Sequence, residues 1–327
     1  MPADVPSPQH RPPPVRYRSD EEDSGRWIGF PHRAGDIVIS TRSKSGTTWT
    51  QMICALLIFQ EPRLPAPLAD LSPWLDWLVV PIDQMYGRLA AQRHRRFVKT
   101  HTPLDGLPLH RDVTYLVVAR HPLDMAVSLY HQGDNLDRRR IRELTDRARA
   151  GAADRPQPQP EPRPRPRPDL GHWLRQWIAG AADPADALDS LPGVVHHLAD
   201  AWTRQAAQRP TVVLLHYQDL LDDLAGQMRR LAERLRIAVP DDRWPDLVEA
   251  ATFATMRERA ARLAPDPAGI MIDRRAFFRS GRSGGGRSLL TDDEYARYLH
   301  RVAQLAARRL PDPADVDDLL TWLHRLR

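Results

Sequence analysis

DIVISTRSKSGTTWTQMICALLIF, residues 36–59, passes from a short apolar run through a loop of small hydroxylated residues into a longer apolar stretch. Gly35-Asp36 turns into Ile37–Ile39, a buried strand, and the apolar stripe beyond sets a helix starting at Gly46. A strand, a tight loop and a helix rich in hydroxyls at its first turn make a cradle for an anion. Backbone N–H groups from Lys44 to Thr48 can converge on one oxyanion, helped by the positive end of the helix dipole. Gly46 lets the backbone come close, and Thr47 and Thr48 add hydroxyl donors. Lys44 supplies a compact, mobile charge where a planar guanidinium would be less adaptable. Lysine is scarce elsewhere: of 47 basic residues, two are lysines, Lys44 and Lys99, and 45 are arginines.

The loop departs from the Walker A pattern G-x-x-x-x-G-K-[ST], because Lys44 precedes the glycine instead of following it. The apolar run TYLVVA, residues 114–119, ends in Arg120 and not in an acid that could hold a metal. These residues suit an anionic nucleotide with no obligatory metal.

Outward from this unit, strands are predicted at Arg96–Thr100, Val113–Ala119 and Thr211–His216. Helices are predicted at 122–132, 170–180, 194–208, 222–237, 292–307 and 313–325. Strands alternating with helices specify an α/β protein with a central, mainly parallel sheet flanked by helices. DRRRIRELTDRARA, residues 137–150, mixes charges at helical spacing and reads as a solvated helix face.

The chain has 327 residues, enough for one large α/β domain or two smaller ones. Its 31 prolines cluster in residues 1–25, a proline-rich then acidic tail expected to be disordered, and in RPQPQPEPRPRPRP within about 151–169. That insert favours polyproline II and reads as a solvated spacer, or as an arginine-rich or proline-recognition arm. Residues 26–327 are expected to form a single domain interrupted by it. The net charge of +5 favours anionic ligands or surfaces. The single cysteine, Cys54, excludes an internal disulfide and a cysteine-rich metal site, and reads as a small buried hydrophobe. The N-terminus lacks an apolar signal region, and no stretch reaches the roughly 18 apolar residues of a membrane span. A soluble, cytoplasmic protein is expected.

Taken in order, several segments resemble the PAPS-dependent sulfotransferases of the cytosolic type, over about Gly35 to Thr291. STRSKSGTTW resembles that family's loop for the 5′-phosphosulfate, and FVKTHTPLDGLP its strand with the catalytic histidine. YLVVARHPLDMAVSLYH, VVLLHYQDLLDD, TFATM and FFRSGRSGGGRSLLT resemble the segments for adenine and the 3′-phosphate. The resemblance implies a three-layer P-loop-like fold and PAPS as co-substrate, with no metal. Lys44, Ser45, Gly46, Thr47 and Thr48 would bind the 5′-phosphosulfate. Arg120, Ser128, Arg279, Ser280 and Gly281 would hold the 3′-phosphate, with Ser128 counted also among the catalytic groups. Trp49, Tyr217 and Phe253 would enclose the adenine. His101 would be the general base and Lys99 would attend the sulfuryl group.

The residue types have independent reasons. A histidine of ordinary pKa near 6.5 takes a hydroxyl proton at neutral pH. Lys99 and His101, two apart on a strand, point to one face. Ammonium groups aimed at developing negative charge lower the barrier by a few kcal/mol. Two departures stand out. The family's R-K-G-x-x-G-D-W becomes RSGRSGGG at 279–286, with Arg282 or Arg287 left to compensate. The valine and glutamate of its dimer motif fall on Asp292 and Ala296, so that dimer is not implied.

The implied acceptor is a hydroxyl on a small or lipophilic molecule such as a phenol, alcohol, sterol or glycolipid. Its pocket is expected from residues 70–92, 131–150 and 258–277, where Trp74, Trp77 and Tyr86 are either packing or wall. Two other readings are a nucleotide-dependent phosphoryl transferase and an arginine-rich nucleic-acid or partner-binding protein. The displaced lysine argues against the first, and the 42 interleaved acids and missing RNA-binding aromatic motif against the second.

Overall fold

Four apolar runs form four parallel strands in the computed structural model, which describes residues 15–149, 167–207, 211–266 and 268–325. β1 (Ile37–Thr41), β2 (Phe97–Thr100), β3 (Thr114–Ala119) and β4 (Val212–His216) lie in the order β2-β1-β3-β4. Ile39 stands opposite Lys99 on one side and Leu116 on the other, and Val117 opposite Leu214. Side chains alternate between faces, so Ile37, Ile39, Leu116 and Val118 enter one core, and Val38, Tyr115 and Val117 enter another.

Parallel strands need long crossovers and cover on both faces. Between β1 and β2 come α1 (Thr47–Phe59), α2 (Leu68–Leu71) and α3 (Ile82–Ala91). Between β3 and β4 come α4 (Pro122–Asp134), α5 (Arg138–Arg149), α6 (Leu170–Ala179) and α7 (Leu191–Ala206). After β4 the chain forms α8 (Tyr217–Asp222), α9 (Leu224–Leu235), α10 (Trp244–Ala251), α11 (Phe253–Glu258), α12 (Ala260–Leu263), α13 (Asp292–Ala307) and α14 (Pro313–Leu323). Cys54 and Leu56 of α1, Leu231 of α9 and Leu247 of α10 fill the core on the Ile39 face. Met125 of α4, Val195 of α7, Val302 of α13 and Leu319 of α14 fill the other. The result is helix, sheet, helix. Among the described residues, no helix is long and apolar enough to cross a membrane.

Local signals fix the helix starts. α4 has Pro122 in its first turn, and the His121 ring accepts from the Leu123 N–H. Thr291 and Glu294 cap α13 reciprocally. The helix predicted over 222–237 is α9, whose start is fixed by Asp223: it leaves the helical path and its side chain accepts from the Gly226 N–H, while the short α8 before it has no counterpart among the predicted helices.

The expected N-terminal tail also differs. From Val15 onward the chain takes a defined course, and Tyr17 is buried. Its hydroxyl donates to Asp105 Oδ1 at 2.8 Å and lies 2.8 Å from His196 Nε2. Long-range partners hold a segment whose composition reads as unstructured. Residues 1–14, and 151–166 of the proline-arginine insert, lie outside the described residues.

β1 has a neighbour on each side, so the crossovers leave it in opposite directions. In open α/β sheets the crevice at the carboxyl ends of such strands is where ligands bind. The loop after β1 and Arg120, just beyond β3, flank that crevice.

Candidate active site

Arg42–Ser45 closes a β-turn in which the Ser45 N–H donates to the Arg42 carbonyl at 3.2 Å. Lys44, at the third position, has φ +64°, the left-handed conformation that such a turn requires. Gly46 follows at φ +109° as N-cap of α1, and a Cβ there would stand 3.1 Å from the Tyr217 ring. No side chain caps α1. The first-turn N–H groups of a helix have no acceptor within it, and Thr47, Thr48 and Trp49 of that turn line a deep cleft with Lys44 and Gly46. Ser45 does not line it: the turn engages its N–H and buries the residue. The anion cradle predicted over five successive residues is therefore interrupted at Ser45.

Across the cleft, the edge strand β2 presents Lys99, whose Nζ sits 3.9 Å over the Trp74 ring. Burial lowers its pKa to about 8, against the opposing pull of Glu22, Asp76 and Asp189. Pro73–Trp77 continues the sheet beyond β2: the Lys99 N–H donates to Pro73 O at 2.9 Å and the Leu75 N–H to Lys99 O at 3.3 Å. Behind the strand Asp76 accepts from the hydroxyls of Thr100 and Thr102, at 2.5 and 2.6 Å.

His101 Nδ1 lies 2.5 Å from the Thr41 carbonyl oxygen. A carbonyl only accepts, so Nδ1 carries the proton and Nε2 holds the lone pair. Burial, with the charges of Lys99 and Arg42, holds the pKa of His101 well below the usual histidine value. The ring is neutral at pH 7 and basic at Nε2.

The third group of residues is cationic. Arg120 reaches back to Lys44 O (3.1 Å) and across to Arg282 O (3.0 Å), with its guanidinium 4.4 Å over the Tyr217 ring. Its Nε is buried and has no partner among the described residues. Burial and the charges of Arg120, Lys99 and Arg279 push Lys44 down to about 7. Burial, then Arg120, lowers Arg279 as well. Lys44 and Arg279 thus both lie under the positive charge of Arg120, an arrangement suited to a polyanion. Lys44 Nζ is steadied by Gln132 Oε1 at 3.2 Å and by the face of Phe277 at 3.8 Å.

Arg279, Ser280 and Gly281 line the cleft opposite Ser128. Gly281 has φ +61°, and a Cβ there would be 2.5 Å from the Phe253 ring. The glycine run that follows is anchored by Asp124 of α4, whose carboxylate accepts from the Gly284 and Gly286 N–H groups at 2.7 and 2.8 Å. Neither arginine expected to compensate lines the cleft. Arg282 is exposed, and Arg287 pairs with Asp292 and lies 4.3 Å over the Tyr295 ring.

Trp49 packs edge-to-face on Tyr217 at 5.2 Å and donates through Nε1 to Ala251 O at 2.8 Å. With Phe253 these rings form one end of the cleft. At the other end Trp74 stacks on Trp77, with ring centroids 5.3 Å apart and planes 8° from parallel. Leu136, Ile141, Ile270 and Met271 close that wall, so all three predicted wall segments contribute. Tyr86 does not. Its hydroxyl donates to Arg26 O at 2.7 Å and its ring packs on Phe30, which makes it core. Gln132, Phe277, Glu21, Glu22 and Asp189 line the cleft without having been singled out from the sequence. Glu22 falls in the acidic run 20–23, where nothing local distinguishes it from a tail. The arrangement can bind a polyanion, present a neutral imidazole to a hydroxyl and surround the reacting atoms with ammonium charge.

The family described as "Sulfotransferase domain" matches residues 34–311. A glycolipid sulfotransferase of Mycobacterium bovis (strain BCG / Pasteur 1173P2) is 41% identical over 96% of this chain and 95% of its own length. Sulfotransferase 1A1 of Bos taurus is 26% identical over 85% of each. The fold is similar to that of retinol dehydratase in complex with androsterone and inactive cofactor PAP, at TM-score 0.63 and 20% identity, over 86% of this chain and 83% of that one. It is similar also to mouse sulfotransferase SULT7A1 complexed with PAP, at TM-score 0.62 and 18% identity, over 90% and 91%.

Proposed function

This chain belongs to the sulfotransferase-domain family, and from that premise we propose that it moves the sulfuryl group of PAPS (3′-phosphoadenosine 5′-phosphosulfate) in line onto a hydroxyl of a small or lipophilic acceptor. The observation that carries the reading is the Nδ1-protonated, neutral His101 beside Lys99. His101 Nε2 takes the acceptor's proton as its oxygen bonds to sulfur. The bond from sulfur to the bridging oxygen breaks, and the leaving group is the 3′,5′-bisphosphate. Lys44 meets the charge that grows on that oxygen, and Lys99 attends the sulfuryl oxygens in flight.

The backbone of Gly46 to Thr48, with the Thr47 and Thr48 hydroxyls, holds the 5′-phosphate. Arg120, Ser128, Arg279, Ser280 and Gly281 hold the 3′-phosphate, and the orphaned Nε of Arg120 is in keeping with an anionic partner. Trp49, Tyr217 and Phe253 enclose the adenine. The acceptor in this reading is a glycolipid. Mycobacterial relatives at about this chain's full length carry that name, and the apolar wall of Leu136, Ile141, Ile270 and Met271 adjoins the polar Glu22 and Asp189. Phosphoryl transfer is disfavoured, because β3 runs into Arg120 where a metal-holding acid would stand.

The test is to incubate the protein with labelled PAPS, or labelled ATP with magnesium, and a panel of phenols, sterols and glycolipids. Label passes from PAPS without added metal, and His101→Ala and Lys44→Ala each lower kcat by about 10²–10⁴. Transfer from ATP alone overturns the assignment.

A further inference from the structure

Beside the acceptor end of the cleft lies a second pocket of about 340 Å³, between the N-terminal segment and the turn leading to α7. Glu21, Glu22, Arg138 and Asp189 line both cavities and stand where the two adjoin. The Glu22 backbone is fixed there, bridged to Trp77 and donating its N–H to Ser19 Oγ at 3.0 Å. Its Oε2 is shielded from solvent and has no hydrogen-bond partner among the described residues. Arg42 lines the pocket and is 2% exposed. Its Nη2 donates to Asp189 Oδ1 at 2.7 Å and its Nη1 to the His101 carbonyl, while its Nε has no partner among the described residues.

Leaving such an atom unbonded is costly, so native proteins leave one where a water or a ligand completes it. Here residues with an orphaned acceptor and an orphaned donor line one pocket, beside a carboxylate that already accepts. Vicinal hydroxyls of a sugar ring, each both donor and acceptor, complement that set. A phenol or sterol with one hydroxyl leaves nothing for Glu22. Burial and the neighbouring Asp76 raise the Glu22 carboxyl, which lets it keep a proton and serve a hydroxyl in either sense.

We propose that this pocket is a saccharide subsite of the acceptor. The ring to be sulfated stands at Lys99 and His101, its neighbouring hydroxyl bonds Glu22, and the next sugar ring occupies the second pocket under the Arg138–Glu21 ion pair (3.1 Å). Glu22 is a positioning residue in this scheme: it orients the acceptor and touches no reacting atom. The inference rests on the glycolipid reading and deepens it.

The experiment compares an alkyl disaccharide, the alkyl monosaccharide, its deoxy analogue lacking the vicinal hydroxyl, and a simple phenol, all with PAPS. Wild-type kcat/KM is expected to fall about tenfold on removing the second ring and about 100-fold for the deoxy analogue. Glu22→Gln raises KM for the disaccharide about tenfold with little change in kcat, and costs the phenol less. PAP binding by each variant reports that it has folded. If the disaccharide is sulfated but neither the second ring, the vicinal hydroxyl nor Glu22 affects its rate, the subsite is wrong and the glycolipid reading stands. If only phenols or sterols are sulfated, the glycolipid reading falls with it.

Discussion

Lys44 leaves a left-handed turn and its ammonium is placed by a hydrogen bond to Gln132 and by the face of Phe277. Lys44→Arg keeps the charge but replaces a compact ammonium with a planar fork. It is expected to lower kcat by about 10² while weakening PAP binding less than tenfold, measured by single-turnover kinetics and titration. The same ammonium makes donor binding pH-dependent. Its pKa in the free protein is about 7, depressed by burial and three neighbouring cations, and a bound polyanion raises it. Affinity for PAP is therefore full below about pH 7 and falls above it, by up to tenfold per pH unit, until the raised value is passed. Flat affinity between pH 7 and 9 would refute this. His101 has the opposite consequence: being held well below the usual histidine value, it produces no acid limb in kcat/KM near pH 6.5. Both lysines and His101 were legible in the sequence, through the loop pattern and the two-residue spacing. Gln132 and Phe277 were not, because only the fold carries α4 and the segment before Arg279 to the loop.

The four strands and the longer helices were legible to within a few residues, because apolar runs and caps are local properties. α8 was not legible, since its six residues follow β4 directly and one aspartate, preferring a cap to a helical interior, sets them off from α9. The segment 279–286 teaches the reverse. Its glycines read as a binding motif stripped of side chains, yet its backbone N–H groups are tied to a carboxylate on another element, α4. Hydrogen bonds to a charged group contribute about 1.5–3 kcal/mol each. Asp124→Ala is expected to lower the Tm by several degrees and to weaken PAP binding about tenfold, with the acceptor's KM little changed. Equal loss at both ends of the cleft would mean that Asp124 supports the whole fold and not this loop.

At the scale of the molecule, two apolar cores sandwich the sheet, and the N-terminal segment straps the acceptor end of the cleft. Tyr17 fastens the strap to Asp105 and His196, residues 88 and 179 positions away. Separation of that kind is invisible to a local reading, in which a proline-rich, acidic stretch has the composition of a tail. Acceptor walls drawn from three distant segments were legible only as regions, not as a shape. Tyr17→Phe removes the hydroxyl and leaves Asp105 and His196 to pair with each other at 2.9 Å. It is expected to destabilise the protein by about 1–2 kcal/mol in urea unfolding. It should also raise the acceptor's KM more than the donor's, because Glu22 lies on the strap.

The two lysines have a use outside catalysis. Side-chain amines occur in this chain only at Lys44 and Lys99, and both lie in one cleft with pKa values pushed down to about 7 and about 8. At pH 7.5 an ordinary lysine is on the order of 0.1% free amine, whereas these two are deprotonated to a large extent. An amine-directed acylating reagent thus becomes an affinity label without any recognition element of its own. Brief treatment at neutral pH should modify Lys44 and Lys99 by peptide mapping, alongside the α-amino group of ordinary pKa near 8, and PAP should protect Lys44 first and the α-amino group not at all.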